Sequence, residues 1–366
     1  MKSPSTKPQQ HSLFQKIEKH RRRVKVRDTH ITLAHGSGGK AMRDLIDDIF
    51  VSNFDNPILS QLEDQASFDL TSLMQQGDRL AFTTDSYVVD PLFFSGGNIG
   101  ELAINGTIND LAVSGAKPLY LTCSAILEEG LPIETLRRIV ESMKVAAKEA
   151  GIQIVTGDTK VVHRGAADKL FINTTGIGVI RSGVNCSAHK IKPGDVIIVN
   201  GELGNHGTAI LIARGELALE TNIESDCQPL HVLVENILDV CPEVHAMRDA
   251  TRGGLATVLN EFAMSSNVGI RLDEKSIPVR EEVKGVCEIL GLDPLYLANE
   301  GKLVVAVARE NAQEVLAAMK SHPAGKEACI VGEVIPSPGG VVLLKSIFGA
   351  ERIVDMLVGN QLPRIC

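Results

Sequence analysis

The spacing of apolar residues along this chain alternates between a helical and an extended period. In PIETLRRIVESMKVAAKEAG (132–151), Ile133, Leu136, Ile139, Val140 and Met143 recur every three or four residues. That spacing gathers them on one face of a helix. Pro132 suits the first turn and Gly151 the stop. Ile104, Ile108, Leu111 and Ala112 predict a second helix over 99–115, closed by Gly115. Met42, Leu45, Ile46 and Ile49 predict a third, opened by the glycine-rich loop AHGSGGK. Runs rich in β-branched residues at 79–89, 119–127, 171–180, 303–308 and 341–345, and DVIIVNG after the KPGD turn, predict strands. Further helices fall around 206–214, 229–239, 254–266 and 281–290, and NAQEVLAAMKSHP opens with Asn311 three residues before Glu314, a capping pattern.

These elements divide into two α+β units, 31–185 and 186–345, between an arm (1–30) and a tail (346–366). No internal repeat relates the units. With 366 residues, 44% hydrophobic and 22% charged, the composition is globular. Aromatics reach 4% and Trp is absent, so the core must be aliphatic.

Charge sharpens the division. Residues 1–28 hold nine Lys/Arg against two acids, a balance of +7; the chain total of −8 leaves −15 on the remainder. An acidic body argues against nucleic acid and suits a holder of divalent cations. The arm reads as a basic flexible segment. The opening lacks an apolar leader core, and no apolar run approaches the roughly 18 residues of a membrane span. Seven cysteines with no CxxC pair indicate neither a disulfide framework nor a zinc ribbon. A cytoplasmic protein with reduced thiols is expected.

AHGSGGKAM fails as a P-loop, because Ala34 stands where the first Gly belongs and Ala41 where the Mg-binding hydroxyl belongs. A flexible linker and a backbone-amide loop over phosphates remain equal readings of it. The acids say more. Asp64 (EDQA), Asp85 (TTDSYVVDP), Asp110 (NGTINDLAVSGA), Asp158 (TGDTK) and Asp249 (RDATRGG) each sit among small residues at or near an element end. A nucleotide-bound Mg²⁺ wants a few such carboxylates plus phosphate oxygens and water. Lys160 and Arg252 could balance phosphate charge. Glu300, in ANEGK before a strand, reads as a buried base or a salt-bridge partner. His35, His163 and His206 lack ligand spacing and read as structural. The chain ends on LPRIC, so its last residue, Cys366, is a thiol beside the terminal carboxylate.

AHGSGG, TTDSYVVDPLFF, GGNIGELAINGTINDLAVSGA, VTGDTKVV, GELGNHG, RDATRGGLATVLNEFA, NEGKL and the terminal PRIC together resemble the HypE family of hydrogenase maturation proteins. That family lies within the superfamily of aminoimidazole ribonucleotide synthetase and selenophosphate synthetase. The likeness runs from about residue 31 to 366; the arm departs from it. It implies an α+β N-terminal unit whose sheet pairs across a homodimer into a β-barrel, and a C-terminal α/β unit. It implies a carbamoyl dehydratase: HypF carbamoylates Cys366, ATP drives dehydration to a thiocyanate, and a HypC–HypD complex receives cyanide for [NiFe]-hydrogenase iron. It implies catalytic roles for Cys366, Glu300 and Lys160, and Mg²⁺ on Asp64, Asp85, Asp110 and Asp249. ATP would contact Gly38, Gly39, Asn105, Thr107, Asn109, Gly157, Asp158, Thr159 and Lys160. The alternative is a small-molecule kinase or synthetase of the same superfamily, with Cys366 incidental.

Overall fold

The structure is a computed structural model and describes residues 25–63, 65–215 and 222–357. Asp64 and Cys366, assigned above to metal and to catalysis, lie outside the described residues, as does most of the arm. Its described end leans on the first unit: Ile31 is buried, and the Val26 N–H donates to Asp48.

The first unit opens with a short helix, α1 (Lys40–Leu45), and a one-turn helix, α2 (Leu70–Met74). Then come β1 (Arg79–Tyr87), the small ribbon β2 (Phe93–Phe94) and β3 (Gly97–Asn98), and helix α3 (Ile99–Val113). After them follow β4 (Ala116–Glu128), α4 (Ile133–Glu149), β5 (Gln153–Val162) and β6 (Leu170–Ile180). The sheet order is β1-β6-β4-β5, with only the β4–β5 pair parallel. Helices α3 and α4 cover one face. Along β1, Tyr87 is buried while Leu80, Phe82, Thr84 and Ser86 are exposed, so alternation sends one set to the helices and the other to solvent. The described sheet is open at β1 and β5, so the barrel implied by the resemblance is not formed within one chain.

The second unit contains β7 (Val196–Val199), α5 (Asn205–Ala213), α6 (His231–Val240), β8 (Ala246–Asp249), α7 (Gly254–Ser266) and β9 (Gly269–Asp273). It continues with α8 (Glu281–Leu290), β10 (Leu303–Val307), α9 (Ala312–Lys320), β11 (Cys329–Ile335), β12 (Val341–Lys345) and β13 (Glu351–Val354). Its seven strands run β13-β12-β9-β11-β7-β10-β8. Only β9–β12 is parallel, so an α/β label is corrected to a mixed, mostly antiparallel sheet. Both faces are covered. Ile197, Val199, Val304 and Ala306 pack toward α7, while Val196, Ile198, Leu303, Val305 and Val307 pack toward α6 and α9. A strand buried on both faces has no polar alternation, which is why VIIV and LVVAV read as continuous apolar runs.

Two further expectations change. The tail does not begin at residue 346, because Glu351–Val354 pairs antiparallel with β12 as an edge strand. Asn311 makes no side-chain cap; its amide instead reaches the Cys241 sulfur at 3.2 Å.

The units meet along α3. Ala112 shares a core with α6 and β10, and Asn109 crosses to the second unit.

Candidate active site

A cleft of about 420 Å³ opens where β1 and α3 of the first unit face the end of β8 and the turn before β10. Asp85, Asp110, Asp249, Arg252 and Glu300 all line it. Each arrives from a different element. Asp85 is on the inward-facing set of β1. Asp110 sits in the penultimate turn of α3, where it accepts a hydrogen bond from the Thr83 hydroxyl at 2.8 Å. Asp249 is the last residue of β8. Glu300 is presented by the turn 299–302.

That turn is stapled to the strand end beside it. Asn299 donates its backbone N–H (3.1 Å) and its amide (2.9 Å) to the Ala250 carbonyl, and the Ala250 N–H donates to Lys302 O at 3.0 Å. Asp249 and Glu300 are therefore held by one ladder.

The electrostatics follow from crowding carboxylates where water is scarce. Burial pushes Glu300 well above the usual carboxylate range, and Asp226, Asp249 and Asp85 add to it; Arg252 opposes. Burial, with Asp110 and Asp85 adding, pushes Asp249 up to about 7. Asp110 is also raised by burial, against the Thr83 hydrogen bond. Burial beside Asp85 raises Tyr87, whose hydroxyl meets Thr107 at 3.0 Å. Arg252, 73% exposed, stands 3.7 Å from Asp85. No side chain among the described residues pairs with the Glu300 carboxylate, which leaves the salt-bridge reading of Glu300 without a partner.

Such a cleft is short of positive charge. Its donors are hard oxygens, which fit Mg²⁺. Among the described residues no three ligating side chains form a closed metal cage. A nucleotide-bound Mg²⁺ does not need one, since phosphate and water supply most of its shell.

The other predicted residues fall elsewhere. Gly157, Asp158 and Thr159 lie on β5 beside a second pocket of about 430 Å³. Its walls are Ile46, Phe50, Phe54, Ile58, Leu59 and Ile154, with Arg43, Glu63 and Gln65 at its polar part. Asp158 is mid-strand rather than at an element end, and pairs with the exposed Lys160 at 3.5 Å. Gly157 is required by close packing: a Cβ there would stand 2.1 Å from the Cys123 carbonyl oxygen. The glycine loop leans on the same strand, with a Gly36 Cβ falling 2.9 Å from Val161. Gly38 takes a left-handed φ of +78°, and Gly39 opens α1.

Asn105, Thr107 and Asn109 are buried on α3. Thr107 bonds Tyr87 and Thr174, and Asn109 bonds Gln228, Leu230 and Glu300 backbone groups. In this arrangement they tie elements together. Asn105 lies 3.6 Å from the Cys227 sulfur, and its side-chain oxygen has no partner among the described residues. His206, read from sequence as structural, is fully buried with Nδ1 2.8 Å from the Ser225 hydroxyl and Nε2 without a partner among the described residues.

Sequence reading missed Asp226 and Lys302, which form a buried ion pair of 2.9 Å behind Glu300. The available signal was Lys302 itself, a cation at the mouth of an all-apolar strand, where burial demands a counter-charge.

The comparisons agree with this architecture. The family model described as AIR synthase related protein, N-terminal domain, matches residues 62–180, and its C-terminal counterpart matches 192–345. The chain is thus a two-domain AIR synthase-related protein. A carbamoyl dehydratase HypE of Rhodobacter capsulatus is 55% identical over 341 residues, 93% of this chain and 99% of that protein. A crystal structure of HypE in complex with ATP superposes with a TM-score of 0.86 at 48% identity, covering 91% of this chain and 99% of that one. HypE in a HypE–HypF complex gives a TM-score of 0.74 at 47% identity over 87% of this chain and all of that one. The chain belongs to the HypE family of carbamoyl dehydratases.

Proposed function

We propose that this protein dehydrates a carbamoyl group carried on the Cys366 thiol, using ATP, so that the S-carboxamide becomes an S-cyanate. The observation that carries this reading is the convergence of Asp85, Asp110, Asp249 and Glu300, from four elements and both units, in one cleft.

A carboxamide oxygen is a poor leaving group. Transfer of the γ-phosphoryl group of ATP to that oxygen, with loss of one N–H proton, gives an imidate phosphate and ADP. Loss of the second N–H proton then forms the C≡N bond as the C–O bond breaks and phosphate departs. Net, the water removed from the carboxamide ends on phosphate. Glu300 takes a nitrogen proton; burial, with Asp226, Asp249 and Asp85 adding, raises its pKa well above the usual carboxylate range, so the ionised carboxylate is a stronger base than a free one. Asp85, Asp110 and Asp249, joined by Asp64, hold Mg²⁺, which supplies charge neutralisation for the triphosphate. Lys160 and Asp158 on β5, with the glycine loop 36–39 that packs on this strand through Gly36, are assigned to the nucleotide end, and the apolar-walled pocket suits a flat base. Thr159 keeps a buried hydroxyl without a partner among the described residues, available to a ligand there.

The half-exposed sheet face with Leu80, Phe82 and Ile126 suits pairing with a second copy, in keeping with a homodimeric barrel. HypF as carbamoyl donor and HypC–HypD as cyanide acceptor complete the scheme, in the cytoplasm. No helix among the described residues is long and apolar enough to cross a membrane. The test is Glu300→Gln in protein carbamoylated by HypF. The variant should bind Mg-ATP normally and accept the carbamoyl group, while intact mass shows no loss of water. Thiocyanate formation at the wild-type rate would remove Glu300 from the base role.

A further inference from the structure

Glu300 is part of a turn whose backbone is gripped from behind. We propose that Asp226 is a positioning residue for Glu300: its carboxylate, neutralised by Lys302, holds the N–H groups of Glu300 and Gly301 and thereby sets where the Glu300 side chain stands in the cleft. This rests on Glu300 serving as the base.

The geometry is specific. Asp226 Oδ1 accepts the Glu300 N–H and Oδ2 accepts the Gly301 N–H, each at 3.2 Å. Oδ2 also meets Lys302 Nζ at 2.9 Å, with the two side chains 4% and 7% exposed. One carboxylate thus engages three consecutive residues of the turn. The carbonyl side is held as well: Asn109 donates to Glu300 O at 3.3 Å, and Asn200 to Gly301 O at 3.0 Å. Gly301 lets the segments close, since a Cβ there would stand 2.0 Å from the Asp226 carbonyl oxygen.

A buried ion pair alone is weak support for stability, because desolvating two charges offsets their attraction. Apolar residues would fill this space at similar or lower cost. What apolar residues cannot do is accept two adjacent backbone N–H groups. Those bonds fix the backbone of a residue whose carboxylate has no side-chain partner among the described residues. A base must stand within hydrogen-bond reach of its proton, and a displacement near 1 Å costs on the order of 100-fold in rate. Asp226 grips the N–H groups of Glu300 and Gly301, whereas the ladder beside Asp249 runs through Asn299 and the Lys302 carbonyl to Ala250, so its loss should leave the metal ligands in place.

The experiment compares Asp226→Asn, the double variant Asp226→Asn/Lys302→Met and Glu300→Gln, all as full-length protein carbamoylated by HypF. Asn keeps the shape but turns one acceptor into a donor facing an N–H. The double variant also removes the stranded Lys302 charge, so it covers the case in which the single variant fails to fold. The expected result is a folded double variant with wild-type Mg-ATP affinity and normal carbamoylation. Its dehydration rate at saturating ATP should fall about 100-fold. Wild-type dehydration in either Asp226 variant overturns the proposal. So does equal loss of nucleotide affinity, which would give Asp226 the whole cleft to support rather than Glu300, and so does failure of both variants to fold. Glu300→Gln separates the two levels: if it is inactive while the Asp226 variants are normal, the base assignment stands and positioning falls. If Glu300→Gln is itself fully active, both fall.

Discussion

The turn 299–302 has two sides built on opposite rules. Behind it, Asp226 meets Lys302 and two N–H groups, and Asn109, Asn200 and Asn299 bond carbonyls or N–H groups of the turn or its neighbours. In front of it, Asp85, Asp110, Asp249 and Glu300 share one cleft, and three of the four are pushed up in pKa chiefly by burial. Asp226 is lowered instead: burial works to raise it, but Lys302, His206 and the Glu300 N–H together outweigh burial. Two buried acids a few atoms apart therefore titrate in opposite directions. Groups that must stay still are fully partnered; groups that must meet a ligand are left short of partners.

If that contrast holds, damage behind the turn should cost stability as well as misplacing Glu300, whereas damage in front should cost chemistry alone. The largest effect is expected from Lys302→Met, which strands the Asp226 charge in the interior. It should cost about 3–5 kcal/mol in denaturant unfolding, with much of that recovered when Asp226→Asn is added. A cost below about 1 kcal/mol for the single variant would show that water reaches this pair.

In front, Asp110→Asn should lower ATP hydrolysis by about 100- to 1,000-fold. Its melting temperature should match or exceed wild type, because one member of a repelling group is removed. A large drop in melting temperature would erase the contrast.

His206 sharpens the comparison through pH. Burial holds its pKa near 4, against 6.5 for the free side chain. The fold therefore binds the neutral ring, and the unfolded chain takes up the proton first as pH falls. The contribution is complete above about pH 6.5 and is lost progressively toward pH 4, up to about 3 kcal/mol. His206→Asn should show a smaller fall in stability than wild type across that window; parallel curves would mean the ring is hydrated. The smallest effect is expected from Arg252→Ala. The side chain is largely exposed and its pairing with Asp85 is screened, so unfolding should shift by less than about 1 kcal/mol.

The cleft was legible in part because its acids sit among Gly, Thr and Asn, where little else explains a carboxylate. Glu300 could be found from its place ahead of an apolar strand. Asp226 could not, since its partners are 74 to 76 residues away and meet it only through the tertiary fold. Helices α3 and α4 were readable from their apolar spacing. Strand β5 was not, because TGDTK looks like a turn; its Gly serves sheet packing against Cys123, and its Asp and Lys face outward. Strand β13 escaped because three of its four residues are exposed and no alternation marks it. Asn311 and Glu314 had the spacing of a capping box, yet a nearby sulfur won the amide.

Strand β13 also shortens a leash. Val354 is fully buried at the sheet edge, so the chain is anchored far closer to its end than a tail starting at residue 346 would allow. Cys366 is the ninth residue after Leu357, a contour length of at most about 32 Å. Any site that the Cys366 thiol serves within its own protomer must lie inside that radius. With Cys366 as the proposed carrier, dehydration is an intramolecular reaction. Its turnover in an isolated protomer should be first order and insensitive to dilution, and its dependence on protein concentration should report only the steps that need another chain.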